Sequence, residues 1–143
     1  MNLNSIFKSV RGQVSIEYVF IVMVSFIIIL PVVYVAMMQV QVTIATTKAE
    51  ITCDKITNAA DYILASGEGS KTKINIDLPE NIDVNNSYIS GKEINYRIFI
   101  YGGGTDVFSV AKGNLTGNIP TSKGPHILFL EVVEGKVNIN EAT

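Results

Sequence analysis

The sequence is poor in residues that build disulfide and zinc scaffolds, because its 143 residues include one cysteine, Cys53, and one histidine, His126. An intramolecular disulfide framework and a zinc cluster are therefore excluded. Cys53 is predicted to be a small packed residue, the alternatives being a reactive thiol or an intermolecular disulfide. A basic cluster is also missing, since acidic residues outnumber Lys and Arg beyond Gly12. This balance excludes the usual electrostatic footprint of a nucleic-acid-binding protein.

Patterns typical of enzymes and metal sites are sparse as well. His126 is predicted to have a structural or surface role, the alternative being the base of a catalytic triad. The glycine run 102–104 lacks the Lys-Ser/Thr of a phosphate-binding loop, so it predicts a turn. Four acidic residues lack EF-hand spacing and are predicted to be solvated rather than to bind calcium: Asp77, Glu80, Asp83 and Asp106. The sequence thus predicts a protein that is not an enzyme and uses no metal or cofactor.

An uncharged apolar segment occupies residues 18–38. As a helix it would be about 31 Å long, close to the hydrocarbon thickness of a bilayer, so it predicts a membrane-spanning helix. A buried core helix is the alternative, but the rest of the chain is too small to cover such a helix on all sides. Pro31 removes one helix hydrogen bond and predicts a bend near Ile27.

Charged residues flank the beginning of this segment. Lys8 and Arg11 precede it, so the positive-inside rule predicts a cytoplasmic N-terminus, and everything after about Val42 is then expected outside the cytoplasm. Glu17 directly adjoins the apolar residues, where a carboxylate costs free energy unless it is solvated or paired. Solvation among lipid headgroups would explain Glu17 taken alone, but its neighbours indicate a second explanation.

The residues around Glu17 read Gln13-x-Ser15-x-Glu17-x-x-x-Ile21. This segment resembles the class III signal peptide of archaeal type IV pilins, in which Gln-x-Ser-x-Glu-x-x-x-Leu opens the mature chain; Ile21 stands in place of the usual Leu. The resemblance implies that a prepilin peptidase cleaves between Gly12 and Gln13 and removes residues 1–12 as a leader. The implied peptidase-recognition motif comprises Lys8, Arg11, Gly12, Gln13, Ser15 and Glu17.

The resemblance further implies a structural subunit of a type IV pilus-like surface filament, with a minor pilin or a membrane-anchored surface binding module as the alternative. The implied partners are the prepilin peptidase, other pilin subunits packed through the N-terminal helix, the pilus assembly platform and the membrane. Glu17 would pair with the new α-amine of Gln13 in a neighbouring subunit and so fix the register of assembly. Cyclisation of Gln13 to pyroglutamate would remove that positive charge.

Beyond the apolar segment the pattern becomes that of an amphipathic helix. Apolar residues recur at helical spacing among charged ones, and they are Ile44, Ile51, Ile56, Ala59, Ala60, Ile63 and Leu64. This stripe is expected to pack on the domain that follows. Ser66 and Gly67 are typical helix-ending residues, so one helix is predicted over residues 13–65.

Residues 71–143 show the two-residue period of β-strands, and five or six strands are expected. Pro79 ends the first of them. The segments 102–106 and 134–135 are predicted to be hairpin turns, so most neighbouring strands should be antiparallel. The predicted fold class is α+β, with a long transmembrane and amphipathic helix followed by a small antiparallel, sandwich-like domain outside the cytoplasm.

Two N-glycosylation sequons lie in the predicted β-domain, Asn85-Asn86-Ser87 and Asn114-Leu115-Thr116. Asn118 does not qualify, because a proline follows two residues later without a Ser or Thr. Archaeal surface proteins are commonly N-glycosylated, so Asn85 and Asn114 are candidate acceptors.

Overall fold

The computed structural model describes residues 3–100 and 103–142, with side chains described from Ser15 onward. Within these residues one α-helix and seven β-strands follow one another: α1 (Leu3–Ser66), β1 (Lys71–Leu78), β2 (Tyr88–Ser90), β3 (Glu93–Ile100), β4 (Gly103–Val110), β5 (Leu115–Gly117), β6 (Gly124–Val133) and β7 (Lys136–Glu141). The chain divides into two compact units, Met1–Gln41 and Val42–Thr143. The predicted α+β class, a long N-terminal helix followed by a small β-domain, is confirmed.

In the first unit α1 accommodates the two interruptions of its apolar sequence. Pro31 lies inside the helix, which remains continuous in secondary structure. The hydroxyl of Ser25 donates to the carbonyl oxygen of Ile21, 2.8 Å away, so this polar group is satisfied within the helix itself. The bend expected near Ile27 stays a prediction.

The two ends of α1 compare differently with the predicted bounds. The helix begins at Leu3, well before the predicted start at Gln13, and it ends at Ser66, one residue from the predicted end at Ala65. Gly67 follows with a φ of 96°, a left-handed conformation that glycine adopts without steric cost. A glycine immediately after the last helical residue thus accounts for the accurate C-terminal boundary.

In the second unit one face of α1 is buried against the strands. Its residues recur every three or four positions and are Ala49, Cys53, Ile56, Ala60 and Ile63. The predicted packing of the apolar stripe is confirmed for Ile56 and its successors, but it was wrong for Ile44 and Ile51, which are both more than half exposed. At about 100° per residue, Ile56 lies about 140° around the helix from Ile51. The predicted stripe therefore merged two faces of the helix.

The strands form two sheets that share one core, as the sandwich prediction requires. The first sheet has the order β1-β6-β7-β5 and the second the order β2-β3-β4. Neighbouring strands are antiparallel except β5 and β7, which run parallel. The predicted number of strands, five or six, was too low. Strands β2 and β5 have three residues each and are too short to show an alternating pattern.

Helix α1 also bonds to one edge strand of each sheet. On β1 the carbonyl oxygen of Asp77 accepts a hydrogen bond from Thr52 Oγ1 at 3.2 Å. On β4 the carbonyl oxygen of Val107 accepts one from Cys53 Sγ at 3.7 Å. Thr52 and Cys53, which are adjacent on the helix, thus bond to the edge strands of the two sheets. Both carbonyl groups have a hydrogen-bond partner although no further strand is paired with these edges.

Strand β4 begins earlier than predicted. Residues 103–106 were assigned to a turn but belong to β4, where Gly104 pairs with Phe99. The guanidinium of Arg97 lies over Gly104, and a Cβ at this glycine would be 2.6 Å from Arg97 Nε. Gly104 is therefore explained by the space that the Arg97 side chain needs, and not by a turn. Residues 101 and 102 lie outside the described residues.

The predicted hairpin turn between β6 and β7 is confirmed. Glu134 and Gly135 have φ values of 53° and 70°, as in the two-residue turns that join twisted antiparallel strands. The carboxylate of Glu68 accepts hydrogen bonds from both turn amides, at 2.5 Å from Glu134 and 3.0 Å from Gly135. The segment that follows α1 is thereby held to the tip of this hairpin.

Candidate functional site

The first unit presents an apolar surface on all sides of α1. Every residue from 15 to 37 is exposed, and the most apolar stretch has 0% of its residues buried. A core helix of a soluble domain would be mostly covered by its own fold. This helix is instead long and apolar enough to cross a membrane, and it is compatible with a membrane anchor.

Glu17 is the one charged side chain described in this unit. It is exposed, as is Ser15, and it forms no ion pair with any described side chain. A carboxylate in this position can accept a hydrogen bond from another molecule or form an ion pair with it. The other members of the N-terminal motif lie among residues whose side chains are outside the described part: Lys8, Arg11, Gly12 and Gln13.

In the second unit an aromatic row crosses the outer face of the sheet β2-β3-β4. Ile94 and Tyr96 belong to the core, so Asn95 between them lies on the outer face. The strand register places Tyr88 on one side of Asn95 and Phe108 on the other. Tyr88 is 47% exposed and Phe108 62% exposed, whereas Asn95 is only 7% exposed. Tyr88, Asn95 and Phe108 are called the aromatic row below.

The amide of Asn95 is incompletely satisfied in this row. Its Oδ1 is buried and has no hydrogen-bond partner among the described residues. Such an acceptor costs about 1–3 kcal/mol, and native domains contain few of them. The flanking rings are partly exposed, and side chains of that kind change rotamer in picoseconds to nanoseconds. A donor from outside the chain reaches the buried Asn95 Oδ1 only when neighbouring side chains move.

On the outer face of the other sheet, β1-β6-β7-β5, the aromatic ring of Phe129 already has a partner within the chain. Lys73 Nζ lies 5.3 Å from the centre of the Phe129 ring, a favourable cation–π distance. The neighbouring pair Lys71 and Glu131 forms an ion pair at 2.8 Å. The sequence pattern did not distinguish the two outer faces, because the difference depends on which residues the strand register brings opposite each other.

The first sequon lies in a turn that is fixed to β3. The amide of Asp83 donates to the carbonyl oxygen of Arg97 at 2.7 Å, and the amide of Arg97 donates to Ser87 Oγ at 3.1 Å. The carboxylate of Asp83 accepts hydrogen bonds from Asn86 Nδ2 and the Asn85 amide, and the bond from Asn86 contributes most to lowering the pKa of Asp83. Asn85 itself is exposed.

The second sequon lies at the edge of the other sheet. Asn114 directly precedes β5 and is exposed. Its carbonyl oxygen accepts a hydrogen bond from the Val137 amide at 2.9 Å. The amide of Leu115, the middle residue of this sequon, donates to the carbonyl oxygen of Gly91 at 2.7 Å, in the turn between β2 and β3. Both candidate asparagines are therefore accessible, one at the turn before β2 and the other near the turn after it.

His126 lies in a cluster with Ser122 and Glu141 that the sequence did not predict. Its Nδ1 lies 2.6 Å from Glu141 Oε1, and its Nε2 lies 2.8 Å from the Ser122 carbonyl oxygen and 3.3 Å from Ser122 Oγ. A triad base needs a free Nε2 lone pair for the hydroxyl proton. Here the closer neighbour of Nε2 is a carbonyl acceptor, so the geometry does not suit a triad base. His126 instead has a structural role, because it links the start of β6 to the end of β7.

Cys53 is fully buried in the core. Desolvation, with a smaller contribution from the charge of Asp54, raises the pKa of the thiol to about 12. Thiolates rather than thiols are nucleophilic, so this environment is that of an inert packed cysteine, as predicted.

The acidic residues considered as calcium ligands are dispersed over the β-domain. Asp77 pairs with Lys48 at 2.9 Å, and Glu80 pairs with Lys123. Asp106 lies 3.6 Å from Arg97. Across the described residues no group of three or more His, Cys, Asp or Glu side chains is placed to hold a metal ion.

Comparison with known proteins identified no relative of this chain. No protein-family model, no curated protein and no solved structure matches the chain. Functional conclusions therefore rest on the residues and contacts described above.

Proposed function

We propose that this chain is a structural subunit of an archaeal type IV pilus-like surface filament. It is made as a prepilin, cleaved between Gly12 and Gln13 by a prepilin peptidase, and held in the membrane by α1 until a pilus assembly platform transfers it to the filament. The N-terminus is cytoplasmic and the β-domain extracytoplasmic. The chain acts without catalysis, cofactor or nucleic acid.

The observation that carries the proposal is the apolar surface on all sides of α1 over residues 15–37, with Glu17 at its beginning. Such a surface needs lipid or other apolar helices around it. A bundle of identical helices can replace lipid when subunits leave the membrane. A plain membrane anchor has no need of the motif Gln13-x-Ser15-x-Glu17.

Glu17 has a defined part in this proposal. Cleavage creates an α-amine at Gln13, and the carboxylate of Glu17 in a neighbouring subunit pairs with it. A carboxylate among apolar helices is costly when unpaired, so the pairing favours one register of stacking over others. Glu17 is thus an assembly residue that specifies how subunits align.

A minor pilin or a membrane-anchored binding module is the second candidate. The aromatic row on the sheet β2-β3-β4 favours it, because exposed aromatic side chains are enriched at binding surfaces. The two candidates differ in abundance. Quantitative mass spectrometry of sheared filaments should find this chain as a dominant component if it is the structural subunit.

The candidate acceptors Asn85 and Asn114 belong to the same proposal. Each is exposed in the β-domain, and glycosylation requires that this domain leave the cytoplasm. Glycopeptide mass spectrometry of the mature protein tests each site separately.

The N-terminal residue of the mature protein is the deciding measurement. Mass spectrometry of membranes and sheared filaments is expected to find a chain beginning at Gln13 or its pyroglutamate. A chain that retains Met1 would refute the prepilin proposal and leave a membrane-anchored surface domain.

The Glu17→Ala variant tests the assembly role. Insertion and cleavage are expected to remain largely intact, while incorporation into filaments falls by about tenfold, the effect of losing about 1.4 kcal/mol per subunit. The ratio of filament to membrane protein measures this, with Glu50→Ala, another exposed acid on α1, as the control. Normal incorporation of Glu17→Ala would contradict the assembly role even if cleavage at Gln13 is established.

A further inference from the structure

The aromatic row combines exposed aromatic rings with a buried acceptor that has no partner among the described residues. Two partly exposed rings, Tyr88 and Phe108, offer apolar faces, and Asn95 Oδ1 between them needs a hydrogen-bond donor. A ligand that suits this row has an apolar face and hydroxyl or amide donors within the same small unit. A sugar ring has this chemistry, because its C–H groups form an apolar face and its hydroxyls donate at the rim.

The sequon at Asn85 lies next to this row. Its turn is bound at Asp83 and Ser87 to the backbone of Arg97, which is two residues beyond Asn95 on β3. Tyr88 directly follows the sequon and begins β2. The asparagine that would carry a glycan and the row that suits a sugar are therefore held together by the same two strands.

We propose that the glycan carried by Asn85 folds back over the aromatic row, where its sugars stack on Tyr88 and Phe108 and a hydroxyl donates to Asn95 Oδ1. This inference rests on the proposed extracytoplasmic location and glycosylation of the β-domain. It extends them by giving the glycan a binding surface on its own protein.

Covalent attachment explains why a flat row suffices. Tyr88, Asn95 and Phe108 lie side by side across three strands rather than around a cleft, so each contact buries little area. A free saccharide would bind such a surface weakly, because it must also lose translational and rotational freedom. A glycan tethered at Asn85 is already at high effective concentration beside the row, so weak contacts are enough to order it.

Asn114 provides an internal comparison. The strand that follows it, β5, pairs with β7 over Val137–Ile139, and that register brings no aromatic residue opposite the sequon. The sequon does contact the sheet β2-β3-β4, but at the turn residue Gly91, which follows β2, whereas Tyr88 begins β2. A glycan at Asn114 is therefore expected to lie away from the aromatic row. The two sequons should differ in how far their glycans stabilise the domain.

The test is a double-mutant cycle between Asn85→Gln and Phe108→Thr in the full-length protein, purified in detergent from its native cells. Glycopeptide mass spectrometry first establishes occupancy at Asn85. In the wild-type background, Asn85→Gln is expected to lower the Tm by about 4–8 °C, the shift that loss of one aromatic contact causes in a domain of this size. In the Phe108→Thr background the shift should largely disappear.

Matched controls separate this inference from its alternatives. Asn114→Gln should cause only a small decrease in the Tm, and the decrease should be the same with and without Phe108→Thr. An equal effect of Asn85→Gln in both backgrounds would overturn the inference, as would an unmodified Asn85. A second copy of the chain seated on the row would make the Tm depend on protein concentration and not on Asn85, which would also overturn it. The N-terminal residue of the same sample reports independently on prepilin processing.

Discussion

Two parts of α1 show how one helix can belong to two environments. Over residues 15–37 every side chain is exposed, and apolar residues occupy all faces. Over residues 42–66 the helix is amphipathic, and one face, from Ala49 to Ile63, is buried against the strands. Helix propensity alone does not separate the two parts, since both are helical without interruption.

Polar side chains bond within the helix in both parts, and the second part adds bonds to the β-domain. In the first part Ser25 donates to its own helix, at the carbonyl of Ile21. In the second part Thr52 donates to the carbonyl of Asp77, on strand β1. The second part also contains bonds within the helix, such as the one from Thr57 Oγ1 to the Cys53 carbonyl oxygen at 3.1 Å, but Thr52 adds a bond to the β-domain. Substitutions in the second part should change the stability of that domain more than equivalent substitutions in the first.

The largest difference is expected between the two faces of the second part. Ile56→Ala creates a cavity at a fully buried site and should lower the free energy of unfolding by about 2–5 kcal/mol. Ile51→Ala, at a position that is 60% exposed, should cost less than about 0.5 kcal/mol. Urea denaturation of the full-length protein in detergent, followed by near-ultraviolet circular dichroism, to which the buried Tyr96 contributes, measures both. Equal effects would show that the two helix faces are not distinguished in solution.

A smaller difference is expected from enlarging alanines. Ala60 is 1% exposed in the core, so Ala60→Leu should overpack it and cost about 1–3 kcal/mol. Ala36 is exposed in the first part, and Ala36→Leu should leave β-domain stability unchanged. The same denaturation experiment compares them. A stable Ala60→Leu variant would mean that the core has room that the buried surface does not reveal.

Much of this fold could be predicted, because its signals are local. The uncharged run at residues 18–38, the glycine after Ser66 and the alternation of β1 each depend on residues close together in sequence. The turn at Glu134 and Gly135 is also local, and it was predicted correctly. Errors arose where two local signals overlapped. Ile51 and Ile56 were placed in one stripe because both are apolar, and only packing against the strands reveals which face is buried.

The candidate sites also divide into those with local sequence signals and those that depend on strand pairing. The motif around Glu17 and the sequon at Asn85 are contiguous in sequence, so both can be recognised without the fold. The aromatic row was missed because it joins residues of three strands, and β2 was too short to be recognised. The cluster of His126 with Glu141 was missed for a similar reason, since it depends on the pairing of β6 with β7.

The smallest expected effect concerns the hydroxyl groups that distinguish the two parts of α1. Thr52→Val keeps the shape of the side chain but removes the donor to the Asp77 carbonyl, and it should cost about 1 kcal/mol. The matched change is Ser25→Ala, which removes a bond within the helix at Ile21 and should not alter β-domain stability. Because Thr52 is 2% exposed, water cannot easily replace its hydroxyl, so the loss should be measurable as a lower urea midpoint at unchanged m-value. A Thr52→Val variant as stable as the wild type would show that the Thr52 hydroxyl adds nothing to the apolar packing and the Lys48–Asp77 ion pair that hold α1 to β1.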